Sequence, residues 1–178
     1  KTQVCITVDT EFSIAGAFSE PDLRQPVSKQ NVLCELDGRS HGLGFILETL
    51  ARQNIPATFF VEALNSNYFG DEPMRDIAHR ILQAGHDVQL HLHPCWTYFR
   101  NPRWRDHLLE SPPNDYMTRR SETEIAGLIA EGLATFERWN IPRPVALRTG
   151  GLNVNEAVYL AMRSMKLPIA SNVGLAVY

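Results

Sequence analysis

The sequence predicts an α/β domain in which short strands alternate with helices and pair in parallel. Five short runs have the composition or the two-residue period of strands, and the stretches between them keep helical spacing. The two longest irregular segments, 13–42 and 94–120, both follow the carboxyl end of a strand. Parallel β/α architectures build their sites on that edge.

Taken in order, "QVCITVD" (3–9) alternates, with Val4, Ile6 and Val8 on one face and Cys5, Thr7 and Asp9 on the other. Residues 13–42 are polar, carry Pro21 and Pro26 and show little periodicity. Loops of that length are usually functional or mobile. "LGFILETLARQ" (43–53) spaces Leu43, Ile46, Leu47 and Leu50 as a helix does, and "ATFFVE" (57–62) reads as a strand. A second helix spans 72–85, with Pro73 near its start and Gly85 beyond its end. "HDVQLHLH" (86–93) is the third strand, followed by the aromatic-rich loop 94–120. Residues 121–139 open with Ser121 and Glu124, a capping-box pattern. "PVALR" (144–148), a helix over 153–166 and "PIASNV" (168–173) complete the series.

The chain has 178 residues, 44% of them hydrophobic, which suits one globular domain with a substantial core. Its net charge is -3, with 17 basic and 20 acidic residues intermixed and no basic stripe, which argues against nucleic acid as a partner. No apolar run approaches the roughly 18 residues of a membrane span. Cys5, Cys34 and Cys95 form no CxxC pair, which argues against a disulfide framework and suits a reducing compartment. No signal peptide precedes the first strand, so the expected location is cytoplasmic.

Three strand ends carry candidate chemistry. In "GHDVQLHLHPCW" (85–96), His91 and His93 leave the same face as Gln89, while Val88, Leu90 and Leu92 leave the other. Imidazoles two residues apart, with Cα atoms about 6.6 Å apart, can converge on one ion. The bland alternative is two polar residues bonded to backbone or water at a strand end. "VDTEF" repeats the spacing with Asp9 and Glu11. A two-histidine site needs an acidic third ligand, and catalysis needs a free carboxylate as base. The alternative there is a carboxylate that caps the next turn. In "ALRTGG", Arg148 ends a strand and could orient a carboxylate, and Gly150 and Gly151 let the backbone pass close to a ligand. Alone, Arg148 would read as a surface residue before a flexible turn.

Trp96, Tyr98, Phe99 and Trp104 have two readings, a wall on which a sugar stacks or anchors that fix the loop. His41, His79, His86 and His107 are read as ordinary polar positions, and Glu62, ending the second strand, has only a weak reading as a support behind the ligands.

These pieces, in this order, resemble the polysaccharide deacetylase family, the NodB-homology or carbohydrate esterase family 4 proteins. That family opens on an Asp-bearing strand, continues with a "GIKATFFV"-like strand (here "NIPATFFV") and a "GHE(I/V)xxH" segment (here "GHDVQLH"), and carries an Arg-containing strand end (here "LRTGG"). The likeness runs from residue 3 to about 173. It implies a deformed (β/α) barrel and hydrolytic removal of an acetyl group from an N-acetylated sugar, so the expected partner is a carbohydrate. It also implies a divalent metal, zinc first, with nickel, cobalt, iron and manganese as alternatives. By position, the resemblance makes Asp9 the base that activates the attacking water and Arg148 the arginine that orients it. His91 matches the first metal histidine, and Glu11 stands where some members place the metal carboxylate. Trp96, Tyr98, Gly150 and Gly151 would then border the sugar.

This chain departs from the family in three ways. The second metal histidine normally lies four residues after the first, where Cys95 stands, so His93 must serve instead. Cys95 itself reads as a small buried residue before a soft ligand. The carboxylate is Glu rather than Asp, and the late leucine-histidine motif that supplies the acid has no match. The D-x-E and H-x-H-P pattern resembles a subgroup tied to surface-polysaccharide or O-antigen biosynthesis. A carbohydrate-binding pseudoenzyme is the competing function. An amidohydrolase barrel also uses H-x-H, but on its first strand. The apolar "SNVGLAVY" end suggests that the native polypeptide continues and brings a histidine to the site.

Overall fold

Helices and strands alternate along the chain largely as the hydrophobic spacing implies. The computed structural model describes residues 3–174. Strand β1 (Thr7–Thr10) leads through helix α1 (Lys29–Leu33) and the small antiparallel hairpin β2 (Glu35–Leu36) and β3 (Arg39–Ser40) to helix α2 (Leu43–Gln53). Then come β4 (Thr58–Glu62), α3 (Ser66–Phe69), α4 (Glu72–Gln83), β5 (Asp87–Leu92), α5 (Glu122–Arg138), β6 (Ala146–Thr149), α6 (Glu156–Ser164) and β7 (Ile169–Ala170). The five long-range strands form one parallel sheet in the order β1-β4-β5-β6-β7. Each strand pairs with its successor and the order never reverses. That is the connectivity of a β/α barrel wall, whereas a doubly wound sheet has a switch point.

Local chemistry explains the boundaries. Pro94 follows β5 and cannot donate to a ladder. Ser121 and Glu124 form the capping box that starts α5, with the Ser121 side chain accepting from Glu124 N and Glu124 Oε2 accepting from Ser121 N. Asn155 caps α6 by accepting from Val158 N, so that helix begins at Glu156 rather than at the expected residue 153.

The sheet's two faces divide the work. Leu90 and Leu92 point to the helical layer, where Gly132 of α5 is so close that a Cβ would lie 2.9–3.0 Å from their methyl carbons. Burial of Phe59, Val61, Leu90, Leu92, Leu147, Ile129, Leu133 and Phe136 forms the centre of the core. Each such side chain contributes roughly 1.5–3 kcal/mol relative to exposure. The register sets Asp9 beside Phe60, Glu62 beside His91, and His91 beside Arg148. All of these side chains leave the opposite face.

Several expectations need correction. β1 begins at Thr7, and Val4 is 83% exposed, so the apolar alternation over residues 3–9 reflects only Val8 packing on the core. The polar segment 13–42 is not structureless, since it holds α1 and the β2–β3 hairpin. The fifth strand is only Ile169–Ala170. The apolar end "SNVGLAVY" (171–178) lies partly outside the described residues, which stop at 174.

Arg138, at the end of α5, donates to both oxygens of Asp71 ahead of α4, at 3.0 and 2.9 Å. The guanidinium lowers the Asp71 carboxyl below its ordinary value of 3.8. A carboxyl depressed in the folded state stabilises above its unfolded titration and loses that contribution as pH falls through the folded value. The pair is partly exposed and worth about 0.5 kcal/mol. Chemical denaturation of R138M should therefore show a small stability deficit at neutral pH that narrows below pH 3.8. A deficit independent of pH would assign the effect to packing.

Candidate metal centre

Strand ends bring the sequence candidates together. Glu11, just past β1, places Oε2 2.7 Å from His93 Nε2 and 3.4 Å from His91 Nε2. One donor atom from each of the three residues lies within 4.8 Å of the others. His91 is 2% exposed and Glu11 and His93 are half-buried, so the cluster is open on one side only.

The imidazoles are turned by their outer nitrogens. His91 Nδ1 sits 2.9 Å from the Arg148 carbonyl, and His93 Nδ1 sits 2.6 Å from Asp115 Oδ2. Both partners are acceptors, so each Nδ1 is the donor and each Nε2 faces Glu11. The backbone N–H of His93 donates to Glu62 Oε2 at 2.6 Å, and Leu64 N–H donates to Glu62 Oε1 at 2.5 Å. Glu62 is wholly buried.

Electrostatics give the cluster an appetite for a cation. Burial would raise the Glu11 carboxyl, but the hydrogen bonds from His91 and His93 outweigh it and hold the group well below the usual carboxylate range. Burial would lower His93, yet Asp115 and Glu11 raise it to about 11. Burial pushes Glu62 up to about 7 against the pull of the two imidazoles. Three acidic side chains, Glu11, Glu62 and Asp115, thus surround two imidazoles. Two nitrogen donors and a carboxylate oxygen are a donor set that fits a divalent ion such as zinc.

Beside this cluster lies a second pair. Arg148 Nη1 donates to Asp9 Oδ1 at 2.5 Å, Nη2 donates to Thr7 Oγ1 and Ser171 Oγ, and Nε donates to the Ser171 carbonyl. Its guanidinium also lies 4.2 Å over the Phe60 ring. So held, Arg148 is a fixed donor that aims the Asp9 carboxylate. Asp9 keeps 41% of its side chain exposed.

The remaining candidates divide. Trp96 is 1% exposed and packs on Phe69 and Phe99, and Tyr98 packs edge-on against Phe18. For Trp96 the structure corrects the sugar-stacking expectation, because a ring with no free face cannot stack on a substrate. Trp96 anchors the loop, and Tyr98 is half-buried in the same aromatic cluster. Gly150 is buried against the His93 ring, while Gly151 is exposed with φ +58°. Cys95 is buried, and its thiol is pushed well above its usual range by burial and then by Asp115. Two further residues belong to the site, Glu62, only weakly readable from the sequence, and Asp115, not readable at all. Glu62 was visible as a strand-end carboxylate, in register with His91. Asp115 had no signal, because nothing in the aperiodic 94–120 segment foretells which residue folds back onto the site.

One edge of the parallel β/α domain thus carries a two-histidine, one-carboxylate cluster and a neighbouring Asp–Arg pair. The family model described as polysaccharide deacetylase matches residues 37–170, and the chain belongs to that family. The match includes His91, His93 and Arg148 but begins after Asp9 and Glu11. No curated protein matches the chain.

Solved structures share the fold. A family 4 acetyl xylan esterase from Clostridium thermocellum, in complex with a cobalt ion, is 20% identical over 87% of this chain and 52% of its own, with a TM-score of 0.51. The peptidoglycan deacetylase of Bacillus subtilis is 17% identical over 94% of this chain and 56% of its own, with a TM-score of 0.53. A family 4 pseudoenzyme from Bacillus anthracis is 15% identical over 96% of this chain and 43% of its own, with a TM-score of 0.57. The chain therefore spans about half the length of these proteins.

Proposed function

We propose that this chain carries the metal-binding and base-bearing part of a hydrolase that removes an acetyl group from an N-acetylated sugar of a polysaccharide or its precursor. The observation that carries the reading is the placement of the Glu11–His91–His93 donor set beside the Asp9–Arg148 pair, at the carboxyl ends of β1, β5 and β6 of one parallel sheet. Glu11, His91 and His93 would hold the divalent ion, zinc for this donor set, with nickel, cobalt, iron or manganese as alternatives. Bound there, it supplies Lewis acidity toward a water and an acyl carbonyl.

The chain's own residues do the rest. Asp9 is solvent-facing and oriented by Arg148, so it can take a proton from a water approaching the cluster. The backbone N–H of Thr149, at the end of the Arg148 strand, donates to Asn172 Oδ1 and is occupied. The D-x-E and H-x-H-P pattern supports a precursor sugar of surface-polysaccharide synthesis as the substrate.

Metal analysis of the purified protein, followed by acetate release from a panel of N-acetylated sugars, tests this reading. D9N is nearly isosteric and should keep metal and fold while losing about 10²–10⁴-fold in turnover. Unchanged turnover would remove Asp9 as the base. A non-hydrolytic carbohydrate-binding role is the second reading, supported by the Bacillus anthracis pseudoenzyme sharing the fold. Stoichiometric metal without acetate release from any sugar would select it.

A further inference from the structure

We propose that Asp115 is a positioning residue for the metal, holding His93 as a ligand from the far end of the 94–120 excursion. The inference deepens the proposed metal centre and rests on it. Asp115 Oδ2 accepts from His93 Nδ1 at 2.6 Å, and Oδ1 accepts from the Cys95 N–H at 3.0 Å. One carboxylate thus grips the ring of His93 and the backbone just beyond it.

Comparison with His91 shows why such a residue is needed. His91 lies inside β5, paired with β6, and the Arg148 carbonyl opposite it accepts its Nδ1 proton. That acceptor is a product of sheet register. His93 lies past Leu92, the last residue of β5, where no ladder partner exists among the described residues. Its ring must be oriented by a side chain, and Asp115 supplies one. A carboxylate does more than a neutral carbonyl, because its charge makes the opposite ring nitrogen a stronger donor to a metal.

Asp115 is itself aimed. Arg120 donates to the carbonyls of Asn114 and Tyr116, on either side of it, at 2.6 Å each, and Asn114 Oδ1 accepts from Tyr116 N–H. This local frame fixes the backbone carrying the carboxylate. His93, Cys95 and Asp115 also bring donor atoms within 4.8 Å of one another. A second ion there would have to break the Asp115–His93 hydrogen bond, so the geometry favours orientation over a second site.

The test measures zinc affinity by chelator competition for the wild-type protein, D115N, D115A and R105M. Arg105 lies on the same excursion but donates to the Pro21 carbonyl, away from the cluster. The expected loss is about tenfold for D115N and about 100-fold for D115A, with R105M within about twofold of wild type. In cobalt-loaded protein, the visible absorption should shift in both Asp115 variants and stay unchanged in R105M. D115N keeps an acceptor for Cys95 N–H, so it carries the test if D115A does not fold. Wild-type affinity in D115N, or an equal loss in R105M, overturns the role of Asp115 alone. A second zinc equivalent that disappears in C95S also overturns it. A wild-type protein that takes up no metal overturns the metal centre and this role together.

Discussion

Replacing His91 and His93 together by alanine is expected to abolish metal retention and reduce turnover to background. Both Nε2 atoms face the same Glu11 oxygen, so the double change leaves one carboxylate where three donors converged. A lone carboxylate cannot hold a transition metal against solvent. The fold should persist, because the core lies on the helical face of the sheet. Elemental analysis of metal per chain reads the result directly, and stoichiometric metal in the double variant would place the ion elsewhere. In the metal-free protein, His93 is raised to about 11 by Asp115 and Glu11 despite its burial. Metal uptake must therefore displace a proton, and affinity should weaken as pH falls.

Gly150→Ala is expected to have the second largest effect. A Cβ there would lie 2.4 Å from both Cε1 and Nδ1 of His93 and 2.9 Å from Cγ. The ring has no room to retreat, since Nδ1 is tied to Asp115, Nε2 faces Glu11 and the backbone N–H is held by Glu62. Relief must tilt the ring or shift the end of β6, at a stability cost of about 1–3 kcal/mol. Metal affinity should fall about 100-fold, as when the partner of a ligating histidine is lost. Gly151→Ala is the control. Gly151 has φ +58°, so alanine there is strained by about 1 kcal/mol, but its Cβ would meet Asn153 and not the cluster. Equal loss of metal in both variants would mean that the turn, rather than the space for His93, controls the site.

The residues legible in the sequence are those whose geometry depends only on strand period. Asp9 and Glu11, and His91 and His93, could be placed on common faces because alternation fixes direction within one strand. Helix starts were legible wherever capping chemistry is local, as at Ser121 and Glu124. Residues defined by long-range folding were not. Asp115 reaches His93 across 22 residues of aperiodic chain, and Trp96 could be judged a core residue only once Phe69 and Phe99 were seen around it. Glu62 shows the intermediate case: its position at a strand end was readable, but its burial beneath the His93 N–H came from the neighbouring strand.

The ring of Phe18 stacks on Phe99 at 5.0 Å and meets Tyr98 and Trp104 edge-on, while Arg105 reaches back to the Pro21 carbonyl. The first irregular segment is therefore clasped to the second. Neither can peel away from the sheet without exposing the aromatic surface of the other, so the two open as one cooperative unit. Amide hydrogens around Phe18 and around Phe99 should exchange with the same opening free energy, although about eighty residues of chain separate them. Since Glu11 precedes one segment and Asp115 in the other grips His93, an ion held by Glu11, His91 and His93 would slow exchange in both at once.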